Sequence, residues 1–305
     1  MRATLAGAPV SFGVFELTPA GAETVSPDQL GEVLQAAGYR GVDLGPVGFL
    51  GRGDELRRRL RRFALPLAGG WVQLPFSDDE AFEASLPQLR EALDVFADAA
   101  AEADGRLPLP TLADSGSFAR QAAPGRGDEA DPVADDAAAR LYDNVGRAAR
   151  LVREAGLEPT FHHHAGTFVE SPDEIDAFLA HTDVGLTLDT GHLAIAGGDP
   201  VEAVRRWGER INHLHLKDVD LARLRAILAA GGGMREVWSG GAFVAFGQGD
   251  VDLPGVMSLI EQRDYDGWIV VEQDVLNGPD IAIDAFLARR AEDQHINRQA
   301  LSPWI

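Results

Sequence analysis

The sequence predicts an α/β fold, a single (β/α)8 TIM barrel with its site at the C-terminal ends of the strands. Eight short apolar runs alternate with amphipathic helical segments along the chain. The helix-start pattern Ser26-Pro-Asp-Gln29 recurs as Ser171-Pro-Asp-Glu174 and Asp199-Pro-Val-Glu202, which marks helices of equivalent role after successive strands. Acidic and imidazole groups collect at predicted strand ends, the place where parallel α/β sheets bind ligands. A length of 305 residues suits one barrel of about 250 residues with insertions, so residues 1–305 are read as one domain.

The first strand is Leu5–Val10, and the loop Ser11–Glu16 after it brings Phe15 and Glu16 over a pocket. Ser26 caps a helix with Pro27 in its first turn, an apolar stripe of Leu30, Val33, Leu34 and Ala37, and Gly38 as its stop. Gly41–Gly45 is the second strand, Arg52–Phe63 an amphipathic helix with a solvated arginine face, and Leu65–Val72 the third strand. Asp79–Ala103 is an alanine-rich helix, and Leu107–Leu112 a fourth strand interrupted by prolines. Residues 115–131 carry Gly, Pro, Asp and Arg with few apolar side chains, and read as a mobile surface loop. Helical spacing from Val133 to Val152 stops at Gly156, and Leu157–Phe161 is strand five. Leu186–Leu188 and Ile211–Leu216 are strands six and seven. Residues 220–249 form an insertion, with a helical segment, three consecutive glycines and Trp238, of the kind that makes a lid or an oligomer contact. Leu253–Arg263 is helical, Trp268–Val271 is strand eight, and Ile281–Ala291 closes the pattern.

Composition narrows the function. A hydrophobic content of 45% supplies a core, and a formal charge of −21 argues against nucleic-acid binding, which relies on Lys and Arg. No apolar run approaches the roughly 18–20 residues of a membrane span, and no secretory signal opens the chain. Zero cysteines exclude thiol chemistry and fit a cytoplasmic location.

The chemistry sits at four strand ends. Strand five ends in His162-His-His164, strand six in Asp189 with His192 beyond, strand seven in His213, His215 and Lys217-Asp218, and strand eight in Glu272. Strand alternation puts His162 with His164, and His213 with His215, on shared faces. These groups are read as one divalent metal site, whose mixed carboxylate and imidazole donors suit Mn²⁺, Co²⁺, Fe²⁺ or Zn²⁺ better than Ca²⁺. Asp189 and Asp218 read equally as caps of the following turn or helix, and His213 as a hydrogen-bonded group rather than a ligand. Glu272 is harder to set aside, because an ionised carboxylate ending a buried strand needs a partner. Trp71, Trp238 and the Phe12–Phe15 loop read either as an apolar wall for a sugar ring or as rim packing.

Three stretches carry a resemblance: Phe161-His-His-His-Ala-Gly-Thr167, Leu188-Asp-Thr-Gly-His-Leu-Ala194 with Gly197-Gly-Asp-Pro200, and His213-Leu-His-Leu-Lys-Asp-Val219. They resemble the inosose dehydratases of myo-inositol catabolism, within the xylose-isomerase-like sugar isomerase/epimerase superfamily. Ala8–Glu16, Gly247–Asp252 and Tyr265–Glu272 extend the likeness to both ends, while residues 81–131 match poorly. The superfamily holds its metal with Glu, Asp, His and Glu. The resemblance puts the last three at Asp189, His215 and Glu272, with His162 in the first place, a departure that the His-rich inosose-dehydratase-like members share. It implies Mn²⁺ or Co²⁺ as the metal, with Mg²⁺, Fe²⁺ and Zn²⁺ as alternatives. It also implies that His164, His192 and Lys217 lie near the substrate; Glu16, Phe15, Trp71 and Asp218 are read as further substrate-binding groups from their own places in the loop, on the rim and at a strand end.

The implied reaction is dehydration of 2-keto-myo-inositol through an enediolate. His192 or Glu272 takes the α-proton, and His164 or Lys217 protonates the departing hydroxyl. Other readings are a ketose 3-epimerase or aldose–ketose isomerase, a C-glycoside-cleaving relative that needs a partner subunit, and a non-catalytic sugar-binding barrel. The expected partner is a small sugar or inositol-derived ketone, without nucleic acid or membrane, and homo-oligomerisation is left open.

Overall fold

The computed structural model describes residues 2–15, 23–103, 105–278 and 280–305. Its first half runs β1 (Thr4–Gly7), α1 (Pro27–Ala37), β2 (Gly41–Asp43), α2 (Gly53–Phe63), β3 (Leu67–Leu74), α3 (Asp79–Ala100) and β4 (Leu109–Asp114). Two short helices, α4 (Phe118–Ala122) and α5 (Gly127–Ala130), precede α6 (Asp135–Glu154), β5 (Thr160–His162) and α7 (Pro172–His181). Then come β6 (Gly185–Asp189), α8 (Thr190–Ile195), α9 (Pro200–Trp207), β7 (Ile211–Leu216) and β8 (Asp218–Val219). The chain ends with α10 (Leu221–Ala229), α11 (Met234–Ser239), β9 (Phe243–Val244), α12 (Leu253–Gln262), β10 (Trp268–Val271) and α13 (Ile283–Ala300).

Eight of these strands close a parallel barrel in the order β1-β10-β7-β6-β5-β4-β3-β2, while β8 and β9 form a separate antiparallel ribbon. This is the (β/α)8 TIM barrel expected. The main core lies between the strands and the surrounding helices, with Leu34, Leu56, Phe96, Val145, Phe161, Phe178 and Ile269 fully buried. Inside the barrel the fill is small and mixed. Trp268 plugs one level because Gly41 leaves room for it: a Cβ there would lie 2.5 Å from the indole. No helix of the described residues is long and apolar enough to cross a membrane.

Local chemistry sets the helix starts. Ser26 with Gln29, and Ser171 with Glu174, make reciprocal capping boxes, each followed by proline. The third copy differs, since Asp199 caps Val201 and Glu202 while Glu202 itself pairs with Arg205. The first strand stops at Gly7 because Pro9 opens a 3-10 turn, Pro9–Phe12. The last helix runs to Ala300, nine residues past the expected end. Its buried face includes Arg290, Asp293, Gln294 and Asn297, so no apolar stripe announces it.

Residues 115–131 depart from the loop expectation. They fold into α4 and α5 around Arg120, which is fully buried. Its guanidinium donates to the carbonyls of Asp131 and Thr167 and to Glu174. The Glu170 carboxylate accepts from the backbone of Gly125, Gly127 and Gly166. Residues 220–249 contain α10, α11 and the ribbon strand β9, packed on their own cluster of Val219, Leu224, Met234, Val237 and Phe243. Replacing Arg120 with Met strands the buried Thr167 carbonyl, the part-buried Asp131 carbonyl and a Glu174 oxygen, so Arg120→Met should lose about 2–4 kcal/mol in urea unfolding. A loss under about 0.5 kcal/mol would show that other contacts hold the segment.

Candidate metal centre

Period-two alternation carries side chains from four strand ends to one place. Asp189 on β6 stands in register beside His215 on β7, which in turn sits beside Val270, two residues before Glu272. His162 ends β5. A cavity of about 850 Å³ opens on them, lined among others by His162, His164, His215, Lys217, Glu272 and Asp274. Phe15, Trp71, Met234 and Trp238 line it as well. Phe15 meets Trp238 edge-on at 5.4 Å between centroids, and Trp71 meets His162 and His164 at 5.2 and 5.1 Å.

The hydrogen-bond partners fix which atoms face inward. His162 donates from Nδ1 to the carbonyl of His163, which leaves Nε2 as an acceptor. That Nε2 lies 3.3 Å from Asp189 Oδ2. Burial drives the His162 imidazole below its ordinary pKa, so it is neutral. Asp189 Oδ1 accepts from the backbone of Gly191 and His192, while Oδ2 has no aligned donor. Two acceptors therefore face each other. His215 Nδ1 lies 3.8 Å from the same Asp189 oxygen and 2.9 Å from Glu272 Oε2, again without hydrogen-bond alignment. Ligand atoms of His162, Asp189 and His215 all fall within 4.8 Å of one another. A donor set that converges without satisfying itself fits a cation.

Lys217 supplies the positive charge among these carboxylates. Its Nζ lies 3.0 Å from Glu272 Oε2, 3.2 Å from Asp189 Oδ2 and 2.8 Å from Asp274 Oδ1. Burial alone would lower the ammonium pKa, but Asp189, Asp274 and Glu272 raise it above the ordinary lysine range. Burial likewise pushes the Glu272 carboxyl up, and His215 and Lys217 bring it far below its usual range, so it is ionised. Two further acids complete the wall: Asp43, pushed up to about 6 by burial and Glu272, and Asp114, pushed up to about 6 by burial.

Several expected site residues stand elsewhere. Asp218, expected at the substrate, does not line the cavity. Its carboxylate accepts from the backbone of Val219, Gly247, Gly249 and Val251 and staples that loop. His192 is fully buried behind His164, with ring centroids 3.6 Å apart, and its Nε2 faces Asp274 at 3.2 Å rather than the cavity. Its Nε2 also lies 3.1 Å from Lys217 Nζ, so His192 sits against the lysine rather than on the cavity wall. Glu16 lies outside the described residues. Asp274 and Asp43 went unread in the sequence, although Asp274 is two residues past Glu272, the stride that already joined His162 to His164.

A sequence model of the xylose isomerase-like TIM barrel family matches residues 32–290. The inosose dehydratase of Geobacillus kaustophilus is 30% identical over 271 residues, covering 87% of this chain and 85% of that protein. The rhizopine catabolism protein MocC of Rhizobium meliloti is 33% identical over 280 residues, covering 87% and 79%. Among solved structures, the zinc-bound IOLI protein superposes with a TM-score of 0.69 at 12% identity over 99% of both chains. A D-allulose 3-epimerase from Methylomonas sp. gives 0.68 at 16% identity over 100% and 98%.

Asp114 generates a pH prediction. Its carboxyl rises from 3.8 to about 6 on folding because it is buried. The folded chain thus binds this proton more tightly, and the resulting stability is complete below about pH 4 and lost as pH rises through about 6. Asp114→Asn removes that dependence. Relative to the parent protein it should gain about 3 kcal/mol between pH 4 and pH 7.5 in chemical denaturation. An unchanged difference across that window would contradict the buried-acid assignment.

Proposed function

The chain belongs to the xylose isomerase-like TIM barrel family, and from that premise we propose that it is a divalent-metal-dependent dehydratase of 2-keto-myo-inositol. The relatives named inosose dehydratase support the substrate. The observation that carries the reading is the pair of facing acceptors, His162 Nε2 and Asp189 Oδ2, the first of them on the cavity wall. We assign His162, Asp189, His215 and Glu272 as the metal ligands. Two carboxylates and two imidazoles suit Mn²⁺ or Co²⁺, with Fe²⁺ and Zn²⁺ as chemically acceptable substitutes. When bound, such an ion supplies Lewis-acid polarisation of a ketone and its neighbouring hydroxyl.

The chain's own residues then do the proton work. Glu272, ionised and facing the cavity, takes the proton from the carbon next to the ketone. The Lys217 ammonium donates to the hydroxyl on the following carbon. The C–H electron pair becomes the new double bond, the C–O pair leaves with the oxygen, and water departs. The enol product tautomerises to a diketone. Glu272 and Lys217 lie 3.0 Å apart, so the proton that Glu272 gained returns directly to the lysine amine and both groups are reset. Asp274 holds Lys217 in place, and His164 lines the cavity with Nδ1 committed to the Ala165 carbonyl at 2.7 Å. Trp71 and Phe15 form the apolar wall for the ring. The cysteine-free composition supports a cytoplasmic setting.

Epimerisation is the second reading. It needs a second base to return the proton to the other face of the carbon. His162 has Nδ1 committed to the His163 carbonyl and Nε2 turned to Asp189, which leaves His164 and Asp114 on the cavity wall as groups that could serve as that base.

Chelator-stripped protein reloaded with Mn²⁺ should convert 2-keto-myo-inositol to a product with new ultraviolet absorption and the mass of the substrate less one water. Removing the metal should abolish turnover, and Glu272→Gln should lower kcat by roughly 10²–10⁴-fold. Conversion of a ketose to a product of equal mass, with no dehydration of the inosose, would replace this reading with the epimerase.

A further inference from the structure

A second buried trio shares His215 with the four ligands: Asp43 of β2 with His213 and His215 of β7. Each residue is at most 5% exposed, and one ligand atom from each lies within 4.8 Å of the others. Asp43 Oδ1 accepts from the Gly45 backbone at 3.1 Å, while Oδ2 has no hydrogen-bond partner. His215 turns Nδ1 toward Glu272 and Asp189, and its other ring nitrogen, Nε2, is buried without a partner. A His ligand ordinarily passes its second N–H to a carboxylate, carbonyl or water, which fixes the tautomer and the ring plane. Asp43 offers an unpartnered buried carboxylate oxygen in the neighbourhood. His213 occupies the level below, in space that Gly69 leaves open: a Cβ at Gly69 would stand 2.9 Å from His213 Nε2.

We propose that Asp43 is a positioning residue for the metal site: its Oδ2 accepts the second N–H of His215, directly or through one water, and so presents Nδ1 to the cation as a lone pair. The inference rests on the reading of His215 as a metal ligand given above. It adds Asp43 as the group that makes His215 a competent ligand. Neither function nor substrate choice is needed for the test, since the readout is metal binding.

Asp43→Asn is the informative variant. Its amide oxygen can keep the Gly45 bond, while its NH₂ puts a donor where His215 needs an acceptor. Calorimetric titration of metal-stripped protein should give one Mn²⁺ per chain, with an affinity 10–100-fold weaker in Asp43→Asn. The visible absorption of the Co²⁺-loaded variant should shift, because the field at the ion changes with the imidazole. His213→Gln serves as control and should bind Mn²⁺ as the parent does. Thermal unfolding of both metal-free variants checks that they are folded, and Asp43→Glu should restore part of the affinity. Parent-like affinity and spectrum in a folded Asp43→Asn would overturn the assignment. So would an equal loss in His213→Gln, or two ions per chain, since either would make the trio a cation site of its own. A parent protein that binds no Mn²⁺ or Co²⁺ would instead remove the metal reading itself, and this inference with it.

Discussion

Two ionised carboxylates, Asp189 and Glu272, and a further acid, Asp274, whose pKa burial raises, are packed around a single ammonium, that of Lys217, and this arrangement governs the top of the barrel. Ionised carboxylates removed from water require compensation by charge or hydrogen bonds. Lys217 supplies one positive charge, and backbone N–H groups of Gly191 and His192 satisfy one oxygen of Asp189. The remaining acceptors point at each other. Around that deficit, the neutral His162 and the partly compensated His215 become the groups best able to share a cation.

The scaffold delivers these groups through strand geometry alone. A closed parallel barrel brings the C-terminal ends of neighbouring strands together, and period-two alternation decides which side chains face the axis. Thr160 and Thr187 share a buried 2.8 Å hydrogen bond one level below His162 and Asp189, which ties β5 to β6 under the site. His163, turned the other way from His162, accepts the Asp189 backbone N–H at 3.1 Å. His162 and Asp189 are thus both tied to His163 from behind.

Much of this was legible in the sequence, and the reasons are specific. Apolar runs ending in His162, Asp189, His215 and Glu272 are read directly, because parallel strands are buried on both faces and a polar terminus stands out. Lys217 and Asp218 stand side by side at one strand end, and adjacent residues on a strand face opposite ways, so only Lys217 joins His213 and His215 on the inward face. Asp274 lies beyond the last apolar residue, where alternation continues without a hydrophobic pattern to reveal it. Arg120 and the polar face of α13 were hidden for a related reason. Both are buried through charged and amide groups, which leave no periodicity to read.

The central claim is that one ion occupies the space bounded by His162, Asp189, His215 and Glu272, and anomalous diffraction from Mn²⁺-loaded crystals tests it most directly. The account predicts a dominant peak within bonding distance of His162 Nε2, Asp189 Oδ2, His215 Nδ1 and a Glu272 oxygen. A dominant peak elsewhere, or none at that position with Lys217 still filling the gap between Asp189 and Glu272, would contradict it.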